Sequence, residues 1–166
     1  KELLKSTSFP IEIIPIKVVI TSFINFFVGL FFVILASVIM FPENIYLLLL
    51  PFLFLIQLWF LIGINWFTSV LSLIFRDLQN IIPLFVMVLM VSSPIAYVVD
   101  MVPEEIQFLV YANPFSYFIV MYQDVIAHRS MPSLIMLAGT TGISLFIYIA
   151  GFKFFNKVKE IVSNYA

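Results

Sequence analysis

The chain has no cysteine, one histidine and few charges, with charged residues making up 10% of its 166 positions. Without cysteine there is no disulfide framework, no thiolate nucleophile and no thiolate metal site. The single histidine, His128, stands beside Arg129 with no second histidine to complete a paired ligand set. No HExxH, GxSxG, GxxxxGKS or GxxxxGKT pattern occurs, which removes zincin, serine-hydrolase and P-loop chemistry. The eight Lys and Arg residues form no stripe and the formal net charge is −1, so nothing directs the chain to nucleic acid. No ionisable residue lies deep inside a long apolar stretch, which argues against a proton relay.

What fills the space is apolar. Hydrophobic residues account for 63%, against about 45–50% in soluble domains. Between Lys17 and Lys153 four stretches carry no charge, over 18–42, 44–75, 78–99 and 130–152. A bilayer core about 30 Å thick takes roughly 20 apolar helical residues to cross, so each is long enough. A fifth stretch, 106–123, is marginal in length and holds Asn113-Pro114 near its middle. Lys1, Glu2, Lys5, Glu12 and Lys17 precede a full-length apolar span, unlike the short apolar region of a cleavable leader. The first residue is Lys, and the expectation is one membrane domain, 1–166, from a longer chain that has lost an N-terminal part.

Charge sets the expected orientation. Lys1, Lys5 and Lys17 precede the first span, Arg76 separates the second from the third, and Lys153, Lys157 and Lys159 follow the last. The opposite side collects Glu43, Asp100, Glu104, Glu105 and Asp124, with only Arg129 basic. Cytoplasmic loops retain Lys and Arg, so four crossings put all three basic groups inside. A fifth crossing by 106–123 would strand Lys153, Lys157 and Lys159 outside. The predicted fold is therefore an all-α integral membrane protein. It has a cytoplasmic connection over 1–17 and spans over about 18–41, 46–75, 79–99 and 132–153. An outer-side re-entrant helical hairpin occupies about 103–128.

Local chemistry in the hairpin agrees. Pro103 followed by Glu104 and Glu105 suits a first helical turn, where proline loses no hydrogen bond and acids meet the positive dipole end. Asn113-Pro114 ends one helix and starts another, because the residue before proline avoids helical backbone. Ser130 or Ser133 is positioned to cap the last span. Irregular backbone at membrane depth is tolerated only against protein or a water-filled cavity, which hints at a translocation pathway. The plainer alternative is an amphipathic hairpin lying flat at the interface.

Small and polar residues fall at helical spacing within the spans: Ser22, Asn25 and Gly29; Asn65, Ser69 and Ser72; Thr140, Ser144, Tyr148 and Gly151. Such faces ordinarily mean helix packing, with hydroxyls bonding across helices; pore lining is the alternative. Aromatics are abundant, with 20 Phe, seven Tyr and two Trp. Phe23, Phe27 and Phe31 share a stripe, as do Trp59, Gly63 and Trp66, while Tyr97, Tyr111, Tyr117 and Tyr122 gather toward the outer side. Their flat faces suit stacking against sugar rings, and equally an interfacial belt.

The residues then carry a resemblance. Leu3-Leu4-Lys5, followed by Phe9-Pro10-Ile11-Glu12-Ile13-Ile14-Pro15, resembles a segment of the membrane subunits of bacterial polysaccharide ABC exporters. Phe75-Arg76-Asp77-Leu78 with Ile82-Pro83 resembles their next junction. Ser93-Pro94-Ile95, Val102-Pro103-Glu104, Asn113-Pro114-Phe115 and Tyr122-Gln123-Asp124 follow in the family's order. The chain departs at Gln123, where the family often has Arg.

The resemblance implies an ABC-2 type permease that exports lipid-linked O-antigen or teichoic acid across the bacterial inner membrane. It would act as a homodimer beside a separate ATP-binding cassette ATPase, binding no cofactor itself and performing no catalysis. On that pattern residues 1–15 meet the ATPase, with Glu12, Arg76 and Asp77 as candidate coupling residues. Phe23, Asn25, Phe27, Tyr97, Tyr117 and Tyr122 are the candidate pathway residues, and Asn113 and Pro114 break the hairpin. Rival readings are an ABC-2 exporter of drugs or small lipids, and a membrane-embedded glycosyl- or acyltransferase using His128 or Asp124.

Overall fold

The computed structural model describes residues 13–75 and 77–165, and the described residues are helical apart from turns. In chain order they are α1 (Ile13–Met40), α2 (Leu50–Ile74), α3 (Leu78–Ser92), α4 (Gln107–Ala112), α5 (Pro114–Gln123) and α6 (Leu134–Tyr165). A 3-10 turn over Ile45–Leu49 leads into α2, and two more, Val99–Met101 and Glu104–Ile106, precede α4. A single wide turn of π-helix, Asp124–His128, extends α5. Among the described residues three helical stretches are long and apolar enough to cross a membrane, Ile13–Met40, Ile45–Ser72 and Leu134–Lys159.

α2 is the central element. Leu53 and Ile56 are 0% exposed, and Phe60, Trp66 and Val70 are 1% exposed; with Gly63, also buried, they follow one another at three or four residues and so share one side of the helix. That side meets α6 along a stripe of Leu137, Thr140, Ser144, Gly151 and Phe155, all buried. At the crossing the two backbones touch. A methyl group placed on Gly63 would lie 2.6 Å from the Ile147 carbonyl oxygen, and one on Gly151 would lie 2.5 Å from that of Gly63. Lipid tails are as apolar as these side chains, so close van der Waals packing rather than exclusion of water holds such a pair together. The small-residue stripe of the last helix is therefore a packing face. Ser144 serves there by its size, since its buried hydroxyl has no hydrogen-bond partner.

α2 and α6 run parallel, because residues later in one meet residues later in the other. Leu53 and Ile56 share a core with Leu137, Trp66 stacks near Tyr148 at 5.1 Å and Phe152 at 5.2 Å, and Phe67 meets Phe154 at 5.3 Å. α1 runs antiparallel to α2: Val19 and Phe23 pack with Ile62 and Trp66, while its far end reaches the start of α2. The Asn65 amide donates to the Pro15 carbonyl at 2.6 Å and ties the two together. The parallel pair has a topological consequence. Segment 75–133 must return the chain from the end of α2 to the level where α2 began.

Two boundaries differ from the sequence expectation. The third span, expected over 79–99, is helical only to Ser92, because Ser93 precedes Pro94 and takes an extended conformation (ψ 139°). Fifteen residues give α3 about 22 Å, less than the roughly 30 Å of a hydrocarbon core. The last helix, expected to end near 153, continues to Tyr165. Ser133 rather than Ser130 caps it, its hydroxyl accepting from the Met136 amide at 3.2 Å. Cross-helix bonding by hydroxyls is also rarer than the sequence suggests. Thr21, Ser22, Thr68 and Thr141 each donate to a carbonyl four residues back in their own helix, and the links between elements are made mainly by amides.

Candidate functional site

The break at Asn113-Pro114 is where the sequence placed it, and one side chain serves both sides of it. Pro114 forces Asn113 into extended backbone (ψ 113°) and fills the first position of α5. The Asn113 side-chain oxygen, Oδ1, accepts from the Phe115 amide at 3.0 Å, capping α5. Its Nδ2 group donates to the Leu89 carbonyl at 2.7 Å and faces the Ser92 and Ser93 hydroxyl oxygens at 3.0 and 2.8 Å. Leu89 is in the last turn of α3, where carbonyls lack intrahelical partners; the Ser92 and Ser93 hydroxyls also donate to it. The tip of the hairpin is thus locked to the end of α3. Gln123 adds a second link, donating to the Pro94 carbonyl at 2.6 Å.

Depth along α2 follows from the other contacts. Phe115 and Phe118 pack on Phe60 with ring centroids at 5.4 and 5.2 Å, and Phe60 lies ten residues into α2, about 15 Å from its start. The other end of α5 lies level with the beginning of α2. Asn44 donates to the Val125 carbonyl at 2.9 Å and Ser37 to that of Ile126 at 3.3 Å, meeting carbonyls that the wide last turn leaves without helical partners. α5 therefore descends along α2 from one end to the middle, and its N-terminal tip is the deep point.

Beside α5 runs a groove of about 560 Å³ against α1, lined by Asn25, Phe26, Gly29, Ile119, Tyr122 and Gln123, among others. The Tyr122 hydroxyl donates to Gln57 Oε1 at 2.7 Å, and its ring lies 6.0 Å from Phe26. Asn25 and Gly29 are exposed, so these two residues of the polar face of α1 line the groove, while Ser22 faces a separate groove toward α2. The described residues include no group of three His, Cys, Asp or Glu side chains placed to hold a metal.

The sequence-chosen residues divide. Phe23, Phe27 and Tyr122 join one aromatic cluster through Phe26 and Phe54, with Phe23 and Phe27 each 4.7 Å from Phe54. Within it Phe23 is 5% exposed and packs against α2, whereas Phe27 is 48% exposed. Tyr97 and Tyr117 stand apart: Tyr117 donates to the Tyr111 carbonyl at 2.8 Å across the hairpin break, and Tyr97 to that of Val91 at 3.4 Å. The four tyrosines thus make no single cluster. Asp77 is exposed at the start of α3 and caps nothing with its side chain. Glu12 and Arg76 lie outside the described residues. Sequence reasoning missed Gln57, Ser92 and Ser93 as partners of Tyr122 and Asn113, since only the tertiary contacts bring them together.

Comparison with known proteins gives a consistent picture. Residues 1–127 match the family model described as ABC-2 type transporter. The chain is 29% identical over 161 residues to the O-antigen export system permease protein RfbA of Klebsiella pneumoniae, covering 95% of this chain and 61% of that one. A protein of the same name from Myxococcus xanthus is 23% identical over 163 residues, covering 96% and 63%. The chain thus spans a little over three fifths of the length of these relatives.

Proposed function

Because this chain belongs to the ABC-2 type transporter family, we propose that it forms the pathway-bearing part of a permease exporting a lipid-linked polysaccharide across the bacterial inner membrane. It is a multi-pass membrane protein. Nearly all of this chain aligns with about three fifths of the relatives named for O-antigen export, which favours a glycan over a drug or small lipid. ATP is hydrolysed by a separate cassette subunit, and a second copy of the permease completes the pathway.

One observation carries the geometry of this reading: the parallel run of α2 and α6. It supports a net crossing by segment 75–133, made by the short α3, with 93–133 entering and leaving on one side as a re-entrant hairpin. The same arrangement sets Lys153 and Lys157 toward the end of the molecule that holds Asp77, and Glu43, His128 and Arg129 toward the other. The amide lock at Asn113 supports a hairpin held at depth rather than lying flat. In the working cycle, ATPase movement enters through the segment around Glu12 and through Arg76 and Asp77. The glycan then passes along the groove with Asn25 and Tyr122, with Phe27 on the neighbouring aromatic face of α1; Tyr97 stands toward its outer end near Gln123, and Tyr117 beside the deep break.

Deletion of the gene tests the function. Expected is polymer retained inside the cell, detected in extracts but absent from intact cell surfaces. Loss of polymer synthesis altogether would favour a transferase. Undiminished surface polymer with altered drug sensitivity would favour the drug-exporter reading.

A further inference from the structure

At the end of the bundle where α1 gives way to α2, a cavity of about 620 Å³ opens among Phe41, Glu43, Tyr46, His128 and Arg129. Arg129 is the one non-glycine residue with positive φ (53°) among the described residues. It follows the wide turn as a left-handed C-cap, a place where glycine or asparagine is usual. A long cationic side chain there is sterically unfavourable, and its placement has a visible result. The guanidinium lies over the Phe41 ring, 4.2 Å from its centre, so that one face is held by the aromatic ring and its N–H edges remain for another partner.

The remaining charges are arranged around it. His128 is taken up by Asp124 at 3.1 Å. Arg129 and Glu43 line the same cavity, and no ion pair joins either to a partner among the described residues. The cavity therefore offers one fixed cation and one acid to a single occupant. Met40, which lines the cavity, is 69% exposed, and its neighbours along the chain are apolar and open: Ile39 is 72% exposed, Ile45 69% and Leu48 78%. These residues belong to membrane-length helical stretches, so hydrocarbon chains are their natural neighbours.

We infer that this cavity binds the headgroup of a phosphatidylethanolamine molecule, with Arg129 on the phosphate and Glu43 on the ammonium. The Arg129 fork matches phosphate oxygens, and a primary ammonium supplies N–H donors that Glu43 can accept. Phosphatidylcholine lacks those donors, and phosphatidylglycerol lacks the cation. The acyl chains lie on Ile39, Ile45 and Leu48. The site is separate from the groove beside α5 and does not depend on which substrate is exported.

Native mass spectrometry of the intact protein, released from nanodiscs of equal phosphatidylethanolamine, phosphatidylcholine and phosphatidylglycerol, tests the inference. The wild type should retain phosphatidylethanolamine over each of the other two by about fivefold, the ratio that roughly 1 kcal/mol carries. Glu43→Gln should abolish the preference over phosphatidylglycerol. Arg129→Asn, which keeps a residue tolerant of the left-handed backbone, should lower retention of both phosphatidylethanolamine and phosphatidylglycerol. Arg129→Lys should restore part of it. Equal retention of the three lipids by the wild type, or unchanged lipid preference in Glu43→Gln and Arg129→Asn proteins of normal thermal stability, would overturn it.

Discussion

Adding one methyl group at Gly63 should separate the two helices that hold the bundle together. The methyl would sit 2.6 Å from the Ile147 carbonyl oxygen and 2.7 Å from both the Ile147 carbonyl carbon and the Tyr148 nitrogen. All three are backbone atoms, so no rotamer change relieves the overlap and the helices themselves must move. Overpacking costs about 1–3 kcal/mol, and a rigid neighbour puts this case near 3. Alanine recovers about 1 kcal/mol of helix propensity. The net loss for Gly63→Ala is thus about 2 kcal/mol, roughly a thirtyfold shift in the folding equilibrium. The same chain supplies its control, because Gly139 and Gly142 on α6 have nothing within 4 Å of the added methyl. Gly139→Ala and Gly142→Ala should be neutral or slightly stabilising. Reversible unfolding of the intact protein in mixed micelles, titrated with a denaturing detergent, measures all three. A Gly63→Ala midpoint equal to those of the controls would refute the backbone contact between α2 and α6.

Further predictions concern topology, the hairpin and coupling. Single cysteines replacing Glu43, Glu105 and Arg129 in this cysteine-free chain should react with an impermeant reagent from outside intact cells, and those replacing Lys5, Asp77 and Lys157 only after the inner membrane is opened. Labelling of position 157 from outside would discard the re-entrant hairpin. Asn113→Asp keeps the oxygen that caps α5 and loses the donor that reaches α3, so amide exchange should quicken over 92–95 while that of Phe115 stays slow; unchanged exchange over 92–95 would show that the lock does not hold α3. Arg76→Ala and Glu12→Ala proteins should insert normally and bind the ATPase, since a solvent-exposed ion pair contributes only about 0–1 kcal/mol, yet both should export more slowly per ATP hydrolysed. Normal coupling in Arg76→Ala would leave that residue a role in orientation alone.

The sequence by itself determined the membrane class, because charge-free runs of membrane length can be read without knowing any contact. It also determined the break at Asn113-Pro114, since proline's missing N–H and its restriction of the preceding residue act within the local chain. Charge asymmetry supplied an expected orientation, and the parallel course of α2 and α6 brings the later ends of those two helices to one end of the molecule. The faces were only half legible. Thr140, Ser144 and Gly151 lie on the stripe that their spacing draws, but spacing alone could not say whether it faced a helix or a pathway. The contact of Gly63 with Gly151 settles that, because two backbones approach so closely only where neither has a side chain. The corresponding stripe on α1 had the same signature, yet its residues line open grooves instead, Asn25 and Gly29 one and Ser22 another. The second end of each amide bond was likewise invisible: Asn113 meets Leu89, Asn44 meets Val125 and Asn65 meets Pro15, and two of the three acceptors sit in the last, C-terminal turn of a helix. Carbonyls are present at every residue, so nothing in the sequence marks one as free, and only the folded arrangement of helix ends decides which of them an amide will reach.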